Sequence, residues 1–274
     1  MNSPVKMLVH MAFIAGMVTM RSVFGQEVDS ALMKQSSVVF VGTVLQRGAV
    51  SFEAVQRSEE TAIVRVVDVL EKPRAVALNG GDTITLLLNN ASTPGEGVRA
   101  VFYADGWIVG KALALKEVGH TLLSDETTTE QITKSFLEAK RQLRDEELRS
   151  RIAAASIVAH GKVVSIRRAE QPRRIITEHD PEWQEAVIEV RTAIKGTSVR
   201  EQIVVRFPGS MDVAFYRMPK LKVGDEQVIL AVRDTLSGLP RAMLQGKATE
   251  AYLVEMPTDV LPKEELERVQ RLAR

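Results

Sequence analysis

The chain has 274 residues and no cysteine, which excludes a disulfide framework, thiolate zinc ligation and a cysteine nucleophile. Its stability must come from core burial. Neither charge is in excess, with 36 Lys plus Arg against 35 Asp plus Glu. A generic phosphate-backbone binder gains affinity by releasing counterions from a net basic face, so nucleic acid is not the expected partner. Nor is there an apolar run of the roughly 20 residues that a bilayer-spanning helix requires. The mainly apolar stretch from Met7 to Met20 covers fourteen residues and is broken by His10. The patterns G-x-S-x-G, H-E-x-x-H, G-x-G-x-x-G and the P-loop do not occur. No motif of hydrolytic, phosphate or dinucleotide chemistry is legible, and no catalytic residue is assigned. What is present, 45% hydrophobic and 26% charged residues, is ordinary for a folded globular chain.

The N-terminus reads MNSPVK, then the apolar run, then RSVFG before QEVDS. That charged, apolar and small-residue order is the order of a secretory signal peptide spanning residues 1–25. Val23 and Gly25 occupy the positions that the peptidase reads, and Gln26 starts the mature chain. Removal of Lys6 and Arg21 leaves 34 positive against 35 negative residues. An exported chain of this size without cysteine points to a bacterial source, periplasmic or secreted, with no transmembrane anchor after cleavage.

The remainder contains two copies of one pattern. Ser37-Val38-Val39-Phe40-Val41-Gly42-Thr43-Val44 matches Ser156-Ile157-Val158-Ala159-His160-Gly161-Lys162-Val163, with the serine, the glycine and the final valine in register. Ala62 to Leu70 aligns with Ala186 to Ile194, Asp82 to Leu87 with Gln202 to Phe207, and Arg99 to Tyr103 with Gln227 to Ala231. Each block is short, rich in β-branched residues and bounded by turn formers, which is the signature of a strand. Gly80-Gly81-Asp82 and Gly224-Asp225-Glu226 supply the turns. Lys111 to Leu115 and Ala251 to Val254 complete about five strands per copy. Between the copies, Ile132, Phe136, Leu137, Leu143 and Leu148 recur at helical intervals among charged residues, which predicts an amphipathic helix. A second helix starts at Pro262 and carries Leu266, Val269 and Leu272, and a short one covers Val28 to Gln35. The expected organisation is a barrel over 26–126, a linking helix over 127–155, a second barrel over 156–257 and a C-terminal helix over 258–274.

Five short strands with a glycine inside the first, and a Lys-Gly turn after the second strand of copy two, resemble the OB-type Greek-key barrel. Within that superfold, Ser156 to Val163, Ala186 to Gly196, Ile203 to Phe207 and Val223 to Ala231 resemble the netrin-like or TIMP-like domains of secreted proteins. Ser37 to Val44, Ala62 to Leu70 and Gly95 to Tyr103 carry the same resemblance in copy one. The fold class it implies is mainly β with flanking helices, as two tandem five-stranded OB-like barrels. Protease inhibition in that family uses an N-terminal cysteine, which this chain lacks, so the resemblance implies only that such domains bind other macromolecules.

Two segments are candidate contact surfaces. Arg167, Arg168, Arg173 and Arg174 crowd the loop between the first two strands of copy two. Arginine forks suit carboxylate and phosphate groups, so the loop could take an acidic protein or an anionic polymer. The bland alternative is a solvated hairpin balanced by Glu178, Asp180, Glu182 and Glu185. Met211 to Pro219, with Met211, Phe215 and Tyr216, is apolar where a polar connection is expected. It forms either an adaptable protein-binding surface or packing across a barrel end. Glu178-His179-Asp180-Pro181-Glu182 has oxygen donors and an imidazole, yet Pro181 makes the side chains diverge, so no metal or cofactor is expected. His160 reads as a packed strand histidine and His120 as a turn residue. The function these readings favour is a non-enzymatic binding or assembly module of the envelope, acting through another envelope or extracellular protein. An anionic-polymer binder and an envelope hydrolase with a dispersed site are the alternatives.

Overall fold

The computed structural model describes residues 28–89, 94–108, 113–170 and 179–274. The expected signal segment and Gln26 lie outside them. The chain is mainly β and divides into two compact units, with the boundary between Phe136 and Leu137.

In the first unit, helix α1 (Ser30–Gln35) is capped by Asp29, whose carboxylate accepts from the backbone nitrogens of Ala31 at 2.8 Å and Leu32 at 3.1 Å. Strands β1 (Val38–Arg47), β2 (Thr61–Glu71), β3 (Thr83–Leu87), β4 (Arg99–Ile108) and β5 (Ala114–Leu122) close into a barrel with the order β1-β2-β3-β5-β4. Only β3 and β5 pair in parallel. Helix α2 (Thr129–Ala154) crosses the boundary between the units. Its Ile132, Phe136, Leu148 and Ile152 are buried, whereas Leu137, expected in the apolar stripe, is exposed.

The second unit repeats the plan with β6 (Ile157–Arg168), β7 (Trp183–Lys195), β8 (Gln202–Pro208) and β9 (Glu226–Arg233). A hairpin of β10 (Ala242–Leu244) and β11 (Lys247–Thr249) follows, then β12 (Ala251–Leu253), β13 (Val260–Pro262) and helix α3 (Leu266–Leu272). β12 pairs in parallel with β8 and antiparallel with β9, which closes a second five-stranded ring, while β13 adds to β9 outside it.

Alternate residues fill each barrel, as period-2 strands require. Phe40, Val64, Ile84, Leu86, Phe102 and Leu115 pack in the first, and Ile157, Ile188, Val205, Phe207 and Ile229 in the second. The glycine shared by the two copies is explained by this interior. A Cβ at Gly42 would stand 2.7 Å from Val64 Cγ1, and one at Gly161 would stand 2.6 Å from Ile188 Cγ2. The pairing register shifts at both glycines, so each marks a bulge where the first strand coils around a narrow barrel.

Two local expectations are corrected. β5 runs to Leu122, so His120 lies in a strand and not in a turn, because a register shift beside Tyr103 and Ala104 keeps β5 paired with β4. Pro262 ends a strand opposite Gln227, and its extended backbone (ψ 155°) delays helical structure to Lys263 and α3 to Leu266. Among the described residues, no helix is long and apolar enough to cross a membrane.

The second barrel carries an outer layer. Val158, Val228 and Leu230 on the outside of β6 and β9 pack with Leu148, Ile152, Leu261, Leu266 and Val269. His160 belongs to this outer face, is 5% exposed, and its Nε2 has no hydrogen-bond partner. Burial, aided by the positive charges of Lys263 and Arg191 against the opposing Glu226, holds its pKa below the ordinary 6.5. A depressed folded pKa means that the neutral ring is the folded form, so acidification protonates the unfolded chain first. Stability of the second unit is therefore expected to fall as the pH drops below about 6.5, and His160→Gln should flatten that dependence in urea titrations. An unchanged slope in the variant would remove His160 as the cause.

Candidate functional site

The outer face of β6, β7 and β8 carries a cross-strand row of charge. Arg167 lies opposite Glu185, and Glu185 lies opposite Arg206. The two carboxylate oxygens of Glu185 are divided between the arginines. Oε2 accepts from Arg167 Nε at 2.9 Å and Nη2 at 2.8 Å, and Oε1 accepts from Arg206 Nε at 3.1 Å and Nη2 at 2.8 Å. Arg206, 4% exposed at its side chain, also donates to Asp234 Oδ2 at 2.6 Å and to the Pro240 carbonyl at 2.5 Å. Arg167 reaches the Met243 carbonyl. The β9–β12 connection is thereby tied across the outside of the barrel, and Ala242 and Leu244 of its hairpin pack on Val204 and Ala251.

Burial alone would raise the Asp234 pKa, but hydrogen bonds from the Ser237 hydroxyl and the Arg206 guanidinium outweigh it and hold the carboxyl below its ordinary value. The connection thus rests on a charged anchor whose buried members are all satisfied.

A cavity of about 130 Å³ opens between this connection and the barrel, lined by Arg167, Arg168, Glu170, Glu185, Arg206, Pro240, Arg241, Ala242 and Met243. That volume is well below the roughly 300–1,000 Å³ of pockets for drug-sized molecules and suits one carboxylate or a similarly small anion. Arg167 and Arg206 are consumed by Glu185 and Asp234. Arg168 and Arg241, both exposed, have no side-chain hydrogen bond or ion pair among the described residues, so the mouth presents two available guanidinium forks.

Of the residues singled out from sequence, Arg167 and Arg168 line this cavity but belong to strand β6 and not to the loop, because they stay paired with Glu185 and Gln184 of β7, while Arg173 and Arg174 lie outside the described residues. Met211, Phe215 and Tyr216 lie on a separate helical turn, in which the Asp212 carbonyl accepts from Phe215 N at 2.9 Å and Tyr216 N at 2.8 Å. Lys220 fastens that turn by donating to the carbonyls of Pro208, Ser210 and Phe215 at 2.5–3.1 Å. Met211 is 72% exposed, Tyr216 is exposed and Phe215 is half-buried. The turn is linked to the β6–β7 loop, since Gly209 N and Ser210 N donate to the carbonyls of Glu182 and Pro181. The arginine cavity and the apolar turn thus flank the two ends of one loop.

Sequence reading missed Arg206, Asp234 and Arg241 and took Glu185 only as a balancing charge. A signal was present: Arg206 is the one charge inside the apolar run Ile203-Val204-Val205-Arg206-Phe207. Among the described residues no group of three or more His, Asp or Glu is placed to hold a metal ion, and His179 faces Asp212 at 3.2 Å. No protein-family model matches the chain, and no curated protein matches it.

Proposed function

We propose that this chain is an exported, non-enzymatic binding module of the bacterial envelope, built from two OB-type barrels, whose second barrel grips a carboxylate of an acidic protein partner. The order β1-β2-β3-β5-β4 with its single parallel pair, repeated in the second ring, supports the OB assignment. The observation that carries the binding reading is the pair Arg168 and Arg241, without side-chain partners among the described residues, at the mouth of a cavity where Arg167, Glu185 and Arg206 neutralise one another and Glu170 is the single further acid, so that the available charge is net positive. Charges that the fold does not consume are available to a ligand, and bidentate forks favour carboxylates. Among the described residues no aromatic side chain lines the cavity, so they offer no platform on which bases could stack. The apolar Met211 and Tyr216 at the other end of the same loop add the kind of surface that protein interfaces bury.

The test is capture from an envelope extract by the chain starting at Gln26, beside an Arg168→Ala/Arg241→Ala double variant with an unchanged thermal midpoint. A partner should be held by the parent, released about tenfold faster from the variant, and weakened by salt as exposed charge pairs are. Equal retention by both proteins, or no protein partner at all, would overturn the reading.

A further inference from the structure

A second cavity, of about 270 Å³, lies within the second unit between the C-terminal half of α2 and the segment around β13. Arg144, Glu147, Leu148 and Arg151 stand on one helical face, as their three- and four-residue spacing requires. Thr258, Leu261 and Arg268 form the opposing wall. Ion pairs stitch these walls together. Arg151 pairs with Asp259, which also accepts from Glu255 N and Met256 N at 2.8 Å each, and Arg268 Nε donates to Asp145 at 2.7 Å. The gap is therefore preformed and does not depend on a mobile loop.

Its lining has three parts. Leu148 and Leu261 supply apolar surface. Arg151 and Arg268 are neutralised by the acids just named, which leaves Arg144 and Glu147, both exposed and neither with a partner among the described residues, as one available charge of each sign. Arg151 Nε and Thr258 Oγ1 are buried without hydrogen-bond partners, an uncommon condition that a bound polar group would relieve. The volume lies just below the roughly 300–1,000 Å³ of pockets for drug-sized molecules, which suits a small ligand.

The geometry points to a binding site for a free aliphatic α-amino acid, with Arg144 taking its carboxylate, Glu147 its ammonium group, and Leu148 with Leu261 its side chain. A simple anion would leave Glu147 opposed, and a simple cation would leave Arg144 opposed. A zwitterion with an apolar body meets Arg144, Glu147 and the two leucines together.

Isothermal titration of the full mature chain with L-leucine tests the site, beside 4-methylpentanoate, which lacks the amine, and 3-methylbutylamine, which lacks the carboxylate. Leucine should bind saturably and at least about tenfold more tightly than either analogue, the worth of one charge-assisted contact. Arg144→Ala should abolish its advantage over the amine, and Glu147→Gln its advantage over the acid. Both positions are exposed, so the variants should keep the parental unfolding midpoint, and Arg168→Ala at the other cavity should leave leucine binding unchanged. Absence of saturable heat at millimolar leucine, or equal binding of leucine and one analogue, would overturn the proposal.

Discussion

Glu185→Ala is expected to destabilise the second barrel by about 3–5 kcal/mol, the usual cost of removing one member of a buried charge set and stranding the other. Arg206 would keep Asp234 and the Pro240 carbonyl but lose both hydrogen bonds to the Glu185 carboxylate while remaining buried. Arg167 would lose its only carboxylate partner among the described residues, and the cavity would lose one of its lining carboxylates. The control is joint replacement, Arg167→Met/Glu185→Leu/Arg206→Met/Asp234→Asn, which removes the three charges of the row together with the buried carboxylate that Arg206 would otherwise leave unpaired. It should recover most of the loss, because apolar groups of similar volume can replace a buried ion set at little cost. Urea unfolding of the second unit measures both variants. A loss under about 1 kcal/mol for Glu185→Ala would place the row in the class of weak surface pairs. Asp234 adds an acid limit to the same anchor. Its folded pKa is depressed, so its contribution is present above the unfolded value and is lost as the pH falls through the folded one, below about pH 4.

The second large effect is expected at Gly196, in the turn that follows β7. Its φ is +72°, and a Cβ there would fall 2.0 Å from the Ser156 carbonyl oxygen, closer than any contact permits. Gly196→Ala carries the left-handed strain of about 1–3 kcal/mol and must also displace the backbone at the entry to β6. The summed loss should exceed about 3 kcal/mol. Gly224→Ala separates the two causes, because Gly224 has a φ of +94° but no atom within 4 Å of the added carbon. It should show the strain alone. Equal losses at the two positions would mean that the contact with Ser156 is not the source.

Two other glycines, one in the first strand of each barrel, mark where sequence reading succeeds. Gly42 and Gly161 stood in register between the two copies, and the structure gives the reason: both face a barrel interior already filled by Val64 or Ile188. Strand blocks, turns and the repeat are written in local patterns, because side-chain alternation and positive φ are properties of neighbouring residues. The exit of β5 was less legible. A bulge beside Ala104 breaks the alternation, and with it the local signal that would have carried the strand on to His120.

What the linear sequence determined, then, is a mainly β chain of two repeated five-stranded units, with helices after them. Only the tertiary structure decided which arginines are available. Arg167, Glu185 and Arg206 become neighbours through strand register, and Asp234 and Arg241 arrive on a connection folded back over the barrel. Arg167 and Arg168 are adjacent in sequence and line one cavity, yet only Arg167 stands opposite Glu185 in the β6–β7 register and is neutralised by it. Charge is counted along a chain, but whether a charge is spent is settled by what the fold places within 3 Å of it.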